Sequence, residues 1–234
     1  YRTLPEVLAL DPELRAALSG PLGTQEVARL NRKLEQANGA SHSSTLTLID
    51  GSGKAIAASN WRDATSNVGE DYSLRTYVTK ALADGRGQFY GIGLTTGLPG
   101  YFLSRAILND ADEVIGLVAI KIALLELESE WQQIPDIVLA TDAHGVVFLA
   151  SRDEWRYRVL GALSESDVQE MSATRQYTDE RLQPLRYHIE KQIAAGAVLA
   201  RMSEPPLPEA VLWQTLPMPD TNWPLHLLHT TYAS

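Results

Sequence analysis

The chain has 234 residues, with 20 Lys and Arg against 29 Asp and Glu, and its formal charge of −9 disfavours nucleic-acid binding through the whole surface. At 44% hydrophobic and 21% charged residues it has the balance of a folded protein of one large or two small domains, not of a disordered chain. It contains no cysteine, which excludes disulfides, thiolate catalysis and Cys-based metal sites, and no apolar run near the ~18 residues of a membrane-spanning helix.

The N-terminus lacks the basic-then-apolar layout of a signal peptide. It reads as helix instead, with Leu4, Val7, Leu8, Leu14, Ala17 and Leu18 spaced for one face until Ser19-Gly20-Pro21 interrupts. A second helix follows, with Thr24 as N-cap, Val27, Leu30, Leu34 and Ala37 at helical intervals, and Gly39 where a left-handed C-terminal residue is wanted. Ala40 to Ser44 form a loop. From Thr45 the period becomes strand-like, and Thr45–Ile49, the turn Asp50-Gly51-Ser52-Gly53 and Lys54–Ser59 predict a hairpin. Asp71 caps a short helix from Ser73 to Asp84. Three strands follow at Gln88–Ile92, Tyr101–Leu108 and Val114–Ile122, then a helix from Leu124 to Trp131 and a break at Pro135.

The second half restarts the first. Asp50, Gly53 and Ala58-Ser59 are echoed by Asp142, Gly145 and Ala150-Ser151, and Trp61 is echoed by Trp155. Two copies of one sheet-based module account for the echo; chance likeness of turn residues, which favour Asp and Gly anyway, is the alternative. The later elements are a helix around Ser164–Ser172, strands at Arg186–Ile193, Val211–Leu216 and Leu225–Thr231, and a Pro205-Pro206-Leu207-Pro208 loop. The pattern predicts an α+β protein: a helical segment over 1–43, then two antiparallel-sheet modules over 44–134 and 135–234.

No catalytic motif is present: no His-Glu-x-x-His, no Gly-x-Ser-x-Gly, no phosphate loop, and no dinucleotide fingerprint around Gly91 and Gly93. His226 and His229 lie on a predicted strand, where residues three apart face opposite sides, so no metal site is expected. Glu126, Glu128 and Glu130 read as a solvated helix face. What stands out is a set of donors in the first module. Arg75 falls in the first turn of a predicted helix, where the dipole favours an anion, with Tyr72 and Tyr77 beside it. Lys121 lies inside the apolar strand Val114–Ile122 and needs an anionic partner, either a distant side chain or a ligand. Thr95, Thr96 and Gly97 offer hydroxyl and backbone donors of the kind a carboxylate requires. Tyr101 and Ser104 face opposite sides of their strand, so one of them at most reaches a given pocket.

At these residues the sequence resembles the extracytoplasmic sensor region of bacterial C4-dicarboxylate sensor histidine kinases, a tandem PAS-like (double Cache) fold. The resemblance is carried by Ala58-Ser59-Asn60-Trp61, by Val68 to Tyr77, by Phe89 to Tyr101, by Gly116 to Lys121, and in the second module by Ser151 to Arg158 and Ser172 to Tyr177. It implies a membrane-distal ligand module and a membrane-proximal module, in a periplasmic domain of an inner-membrane protein. Tyr72 and Arg75 would hold one carboxylate side, Thr95 and Thr96 the loop side, and Lys121 the remaining negative charge. Thr76 stands where family members often have proline. Related amino-acid sensors carry an aspartate near the position of Lys121 for the ligand's ammonium; a lysine there favours succinate, malate or fumarate instead. The resemblance further implies no catalysis in this domain, no cofactor, and a homodimer through the N-terminal helix. A chemoreceptor or diguanylate-cyclase sensor for another carboxylate or an amino acid is the alternative.

Overall fold

The computed structural model describes residues 3–41, 45–178, 180–218 and 223–230. The chain divides into two units, the first comprising Tyr1–Ala123 with Met171–Thr178, the second Leu124–Glu170 with Asp179–Ser234. The α+β class expected from the sequence is what the structure has.

The first unit opens with three helices: α1 (Thr3–Ala9), α2 (Pro12–Leu18) and α3 (Thr24–Ser41). The sequence reading ran α1 and α2 together. They part at Asp11, whose carboxylate accepts the backbone N–H groups of Glu13 and Leu14, and Pro12 follows with no N–H to lose. Gly23, not Thr24, holds the N-cap of α3: Val27 N–H bonds its carbonyl, and Glu26 Oε2 accepts its N–H at 2.8 Å. Gly39 continues the helix instead of ending it, and of the expected 40–44 loop, residues 42–44 lie outside the described residues. Leu30 and Leu34 of α3, with Leu14 of α2, are buried.

Beneath the helices lies a five-stranded antiparallel sheet in the order β2-β1-β5-β4-β3, with β1 (Thr45–Asp50), β2 (Ala55–Ala58), β3 (Arg86–Ile92), β4 (Pro99–Leu108) and β5 (Val114–Ile122). Helix α4 (Thr76–Asp84) covers the other face, over a core that includes Ile49, Val78, Ala81 and Leu117. Two covered faces explain why β5 is a nearly continuous apolar run instead of an alternating one. The edge strand β2 is closed by α3, where Asn31 Oδ1 accepts the Ala58 N–H at 2.9 Å. Met171–Thr178 joins this unit: Gln176 O accepts the Ile92 N–H at 2.8 Å, and the Tyr177 ring lies 6.1 Å from that of Tyr90. Arg175 and Thr178 there have φ of 49° and 32°, in the left-handed region.

The second unit holds helix α5 (Leu125–Trp131) and a six-stranded antiparallel sheet in the order β10-β11-β12-β13-β6-β7, with β6 (Ile137–Thr141), β7 (Val147–Ala150), β10 (Arg186–Ala194), β11 (Ala197–Glu204), β12 (Val211–Leu216) and β13 (Leu225–Thr230). A short parallel pair, β8 (Arg158–Val159) and β9 (Gln183–Pro184), and helix α6 (Glu165–Ala173), which runs across the unit division, complete the fold. The sequence reading misses β11, whose Ala200 and Met202 have weak strand preference but fill the core beside Trp155 and Trp213.

The internal echo has a physical basis. Asp50 and Asp142 each accept two backbone N–H groups of their own turn, from Ser52 and Lys54 and from His144 and Val146. Ser59 and Ser151 each accept a strand N–H at 2.9 Å, from Leu46 and Val138. The tryptophans differ: Trp155 is fully buried, whereas Trp61 lies at the surface with its Nε1–H on Glu35.

Glu128 is no solvated residue. It is buried and bidentate with Arg156 at 3.0 and 2.8 Å, and burial pushes its carboxyl above the ordinary value although Arg156 pulls it down. The Glu126 side chain lies outside the described residues, and Glu130 is exposed. His226 is buried, with Trp213 Nε1 donating to its Nδ1 at 3.2 Å and Thr141 Oγ1 3.1 Å from its Nε2. Burial pushes its pKa down to about 4, below the unfolded value. Protons therefore favour the unfolded chain, and the stability His226 contributes is complete above about pH 6.5 and lost as pH falls toward 4. Wild-type protein should lose about 2 kcal/mol more than His226→Gln between pH 7 and pH 5, read as the difference between their urea unfolding free energies; parallel losses in the two proteins would refute this.

Candidate functional site

The row of residues that face α4 across the sheet is fixed by register: Thr45 of β1 opposes Lys121 of β5, Lys121 opposes Phe102 of β4, and Phe102 opposes Phe89 of β3. Lys121 thus rises from the middle of the sheet and Arg75 descends onto the β3 side. Arg75 is the N-cap residue of α4, with extended φ and ψ, not a residue of its first turn. That extended backbone sends the side chain away from the helix, where it is 1% exposed. Its Nη2 donates to Ile92 O at 2.7 Å, its Nη1 to Arg175 O at 2.8 Å and Thr174 O at 3.2 Å, and its Cζ lies 4.6 Å over the Phe89 ring. Asp71 caps the turn before the helix by accepting the Ser73 N–H.

Lys121 is 8% exposed. Its Nζ donates to Thr96 Oγ1 at 2.8 Å and to Leu98 O at 3.0 Å. Among the described residues neither Lys121 nor Arg75 has a carboxylate partner. Burial, and then the Arg75 charge, push the Lys121 ammonium down to about 8, and burial pushes the Arg75 guanidinium down to about 10. Both remain cations at neutral pH. Burial also raises the Tyr72 hydroxyl to about 12, and that of Tyr77 higher still.

The two cations face one cavity of about 20 Å³, lined also by Thr45, Thr47, Asn67, Tyr72, Tyr77 and the loop from Gly93 to Thr96. That volume holds little more than a water, so a larger molecule enters only if the loop moves. The loop is pinned to the cavity by the hydroxyl pair Tyr72 and Thr95 at 2.5 Å and by Lys121 on Thr96. A side chain at Gly93 would displace these partners, since a Cβ there would lie 2.7 Å from Thr96 Oγ1 and 3.0 Å from Lys121 Nζ.

Hydrogen-bond accounting gives the walls one polarity. Thr96 Oγ1 already accepts from Lys121, and Thr47 Oγ1 accepts from Asn67 Nδ2 at 2.9 Å. Each hydroxyl has a proton left to donate inward. A site of two cations and inward-donating hydroxyls suits an anion and offers no carboxylate to an ammonium group.

Of the residues singled out in the sequence, Tyr72, Arg75, Tyr77, Thr95, Thr96 and Lys121 line this cavity. Gly97 does not; its φ of 65° and its N–H on Gly93 O at 2.8 Å shape the loop. Ser104 faces α4 but donates to Tyr77 O at 2.6 Å, and Tyr101, on the other face of β4, donates to Gln88 Oε1 at 2.9 Å. Thr45, Thr47 and Asn67 were missed. The alternation Thr45-Leu46-Thr47-Leu48 puts both threonines on one face and was a usable signal; Asn67, on an irregular segment, had none. Among the described residues no group of His, Asp or Glu is placed to hold a metal.

No family model matches the chain. The C4-dicarboxylate transport sensor protein DctB of Rhizobium meliloti is 32% identical over 228 residues, which make up 97% of this chain and 36% of that protein. The protein of the same name from Pseudomonas aeruginosa is 30% identical over 186 residues, 80% of this chain and 30% of that one. The chain thus spans about a third of the length of the curated relatives it matches. Among solved structures, the sensor domain of the V. cholerae histidine kinase DctB matches with a TM-score of 0.87 at 27% identity, over 99% of this chain and 89% of that one.

Proposed function

The chain is a homologue of the DctB C4-dicarboxylate sensor proteins, and from that premise we propose that its first unit binds a four-carbon dicarboxylate between Arg75 and Lys121. The observation that carries this reading is the pair of buried cations on one cavity with no carboxylate partner among the described residues. Their spacing supports the chain length. Arg75 Cζ lies 5.6 Å and Lys121 Nζ 5.9 Å from the centroid of the same Phe102 ring, so the cations are no further apart than those two distances end to end. With a carboxylate at hydrogen-bonding distance from each cation, at most about 4 Å remains between the carboxyl carbons, room for no more than two intervening carbons. Charge-assisted hydrogen bonds of ~1.5–3 kcal/mol each, at two carboxylates, are enough for micromolar affinity, about −8 kcal/mol.

In this mechanism the ligand exchanges places with internal partners. The loop from Gly93 to Leu98 lifts, one carboxylate takes Lys121 from Leu98 O, the other meets Arg75 beside the Tyr72 hydroxyl, and Thr96 donates its freed proton to the bound anion. The loop then closes over a desolvated dianion, which strengthens each contact. No helix among the described residues is long and apolar enough to cross a membrane, and we read the chain as the periplasmic sensing part of a membrane-anchored histidine kinase that itself carries out no catalysis. Ligand shifts its conformational equilibrium, and that shift passes to the kinase. Leu30 and Leu34 are buried within the chain, so a homodimer along α3 would meet on its exposed face, at Arg29, Arg32 and Gln36.

Calorimetry with succinate, fumarate, glutarate, butyrate and aspartate tests the reading. Succinate and fumarate should bind in the micromolar range, with glutarate, butyrate and aspartate at least tenfold weaker; aspartate binding as tightly as succinate would overturn it. Gly93→Ala should weaken succinate by about tenfold, since the new methyl displaces Thr96 or Lys121; unchanged affinity would show that the loop adjusts without involving either.

A further inference from the structure

The cations sit at one level of the sheet, the row Thr45, Lys121, Phe102 and Phe89. The next row on the same face, ~7 Å along the strands, is Thr47, Ala119, Ser104 and Gly87. Its residues are small, and Thr47 and Ala119 line the cavity. Ser104 has its hydroxyl committed to Tyr77 O. Thr47 is therefore the donor this row turns toward a ligand, and a set of partners holds it there. Asn67 Nδ2 fills an acceptor site on the hydroxyl, and Asn67 is itself fixed by Asn60, which accepts its backbone N–H at 3.1 Å and donates to its Oδ1 at 3.3 Å. The mechanism above uses none of these groups. The β4 side of the cavity offers aromatic rings instead, Tyr77 stacked on Phe102 with centroids 4.9 Å apart.

Resting on the dicarboxylate reading, we propose that Thr47, oriented by Asn67, is a specificity-determining residue that reads a hydroxyl on the carbon beside one carboxylate. The carboxylates are held by the cations, so the axis of the carbon chain is fixed. A hydroxyl on its β1 side meets Thr47, whereas a hydroxyl turned the other way points toward the ring stack and loses that partner. The cavity thus distinguishes the two enantiomers of malate, while succinate, which has no hydroxyl, depends less on Thr47 than the favoured malate does.

The test is calorimetry of wild type, Thr47→Val, Thr47→Ala and Thr47→Ser with succinate, L-malate and D-malate. Wild type should prefer one enantiomer by about five- to tenfold, the worth of one neutral hydrogen bond. Thr47→Val and Thr47→Ala should abolish the preference and cost the favoured malate about five- to tenfold more than they cost succinate, and Thr47→Ser should keep it. If Thr47→Val misfolds, the Thr47→Ala and Thr47→Ser pair decides alone. Equal binding of both enantiomers by wild type overturns the proposal, as does a preference that survives Thr47→Val or a succinate loss as steep as the malate loss. In each of those cases succinate still binds wild type, so the dicarboxylate reading stands; if no dicarboxylate binds wild type, it is that reading which fails.

Discussion

Replacing Lys121 with methionine is expected to raise the melting temperature of the ligand-free protein by several degrees and to weaken succinate binding at least a hundredfold. The stem of the lysine packs in the sheet, where methionine fits equally well. Its ammonium, by contrast, is buried beside a second cation, with one hydroxyl and one carbonyl for partners. For a base whose folded pKa is about 8 against 10.5 unfolded, the protonated form disfavours folding. That cost is fully present below about pH 8 and fades as pH rises toward 10.5. The gain of Lys121→Met should be of order 1–3 kcal/mol at pH 7, a few degrees for a chain of this size, and should shrink by pH 9.5. Melting curves at the two pH values, with calorimetry at pH 7, decide the matter. A variant that is less stable and still binds succinate would show that the ammonium is structural.

Arg75→Met should have the opposite effect on stability and the same effect on binding. Arg75 donates to three backbone carbonyls, two of them on the Met171–Thr178 segment. Removing it leaves those acceptors buried without their donors, at about 1–3 kcal/mol for each one that finds no other donor, offset in part by the desolvation cost the guanidinium no longer bears. The melting temperature should fall by roughly 10 °C, and succinate binding should be abolished if, as proposed, lysine and guanidinium hold opposite ends of the dianion. Arg75→Lys should bind better than Arg75→Met yet recover little stability, because a single ammonium cannot reproduce the guanidinium fork. A stable Arg75→Met variant would mean that the carbonyls find other donors and that Met171–Thr178 holds its place without them.

The two cations show where sequence reasoning succeeds and where it stops. A lysine inside an apolar strand and an arginine beside a short helix are visible as anomalies because burial of charge is costly wherever it occurs. What surrounds them is not visible. The carbonyl acceptors of Arg75 lie about a hundred residues further along the chain, and nothing local marks Thr174 and Arg175 as their source. The duplicated turn was legible for a related reason: Asp50 and Asp142, Ser59 and Ser151 make bonds within one hairpin. Arg75 reads as part of the helix when it belongs just before it, since an arginine that makes no side-chain cap bond carries no N-cap signature. Glu128 was placed in solvent because its partner Arg156 lies across the fold. β11 was missed because alanine and methionine give a strand no local signature.

The excursion of Met171–Thr178 into the first unit has a consequence for lineage as well as for structure. A module that owes part of its wall to chain written far downstream cannot be inherited as one block. An exchange of sensing modules between relatives would need two crossovers rather than one, with residues 171–178 travelling alongside residues 1–123.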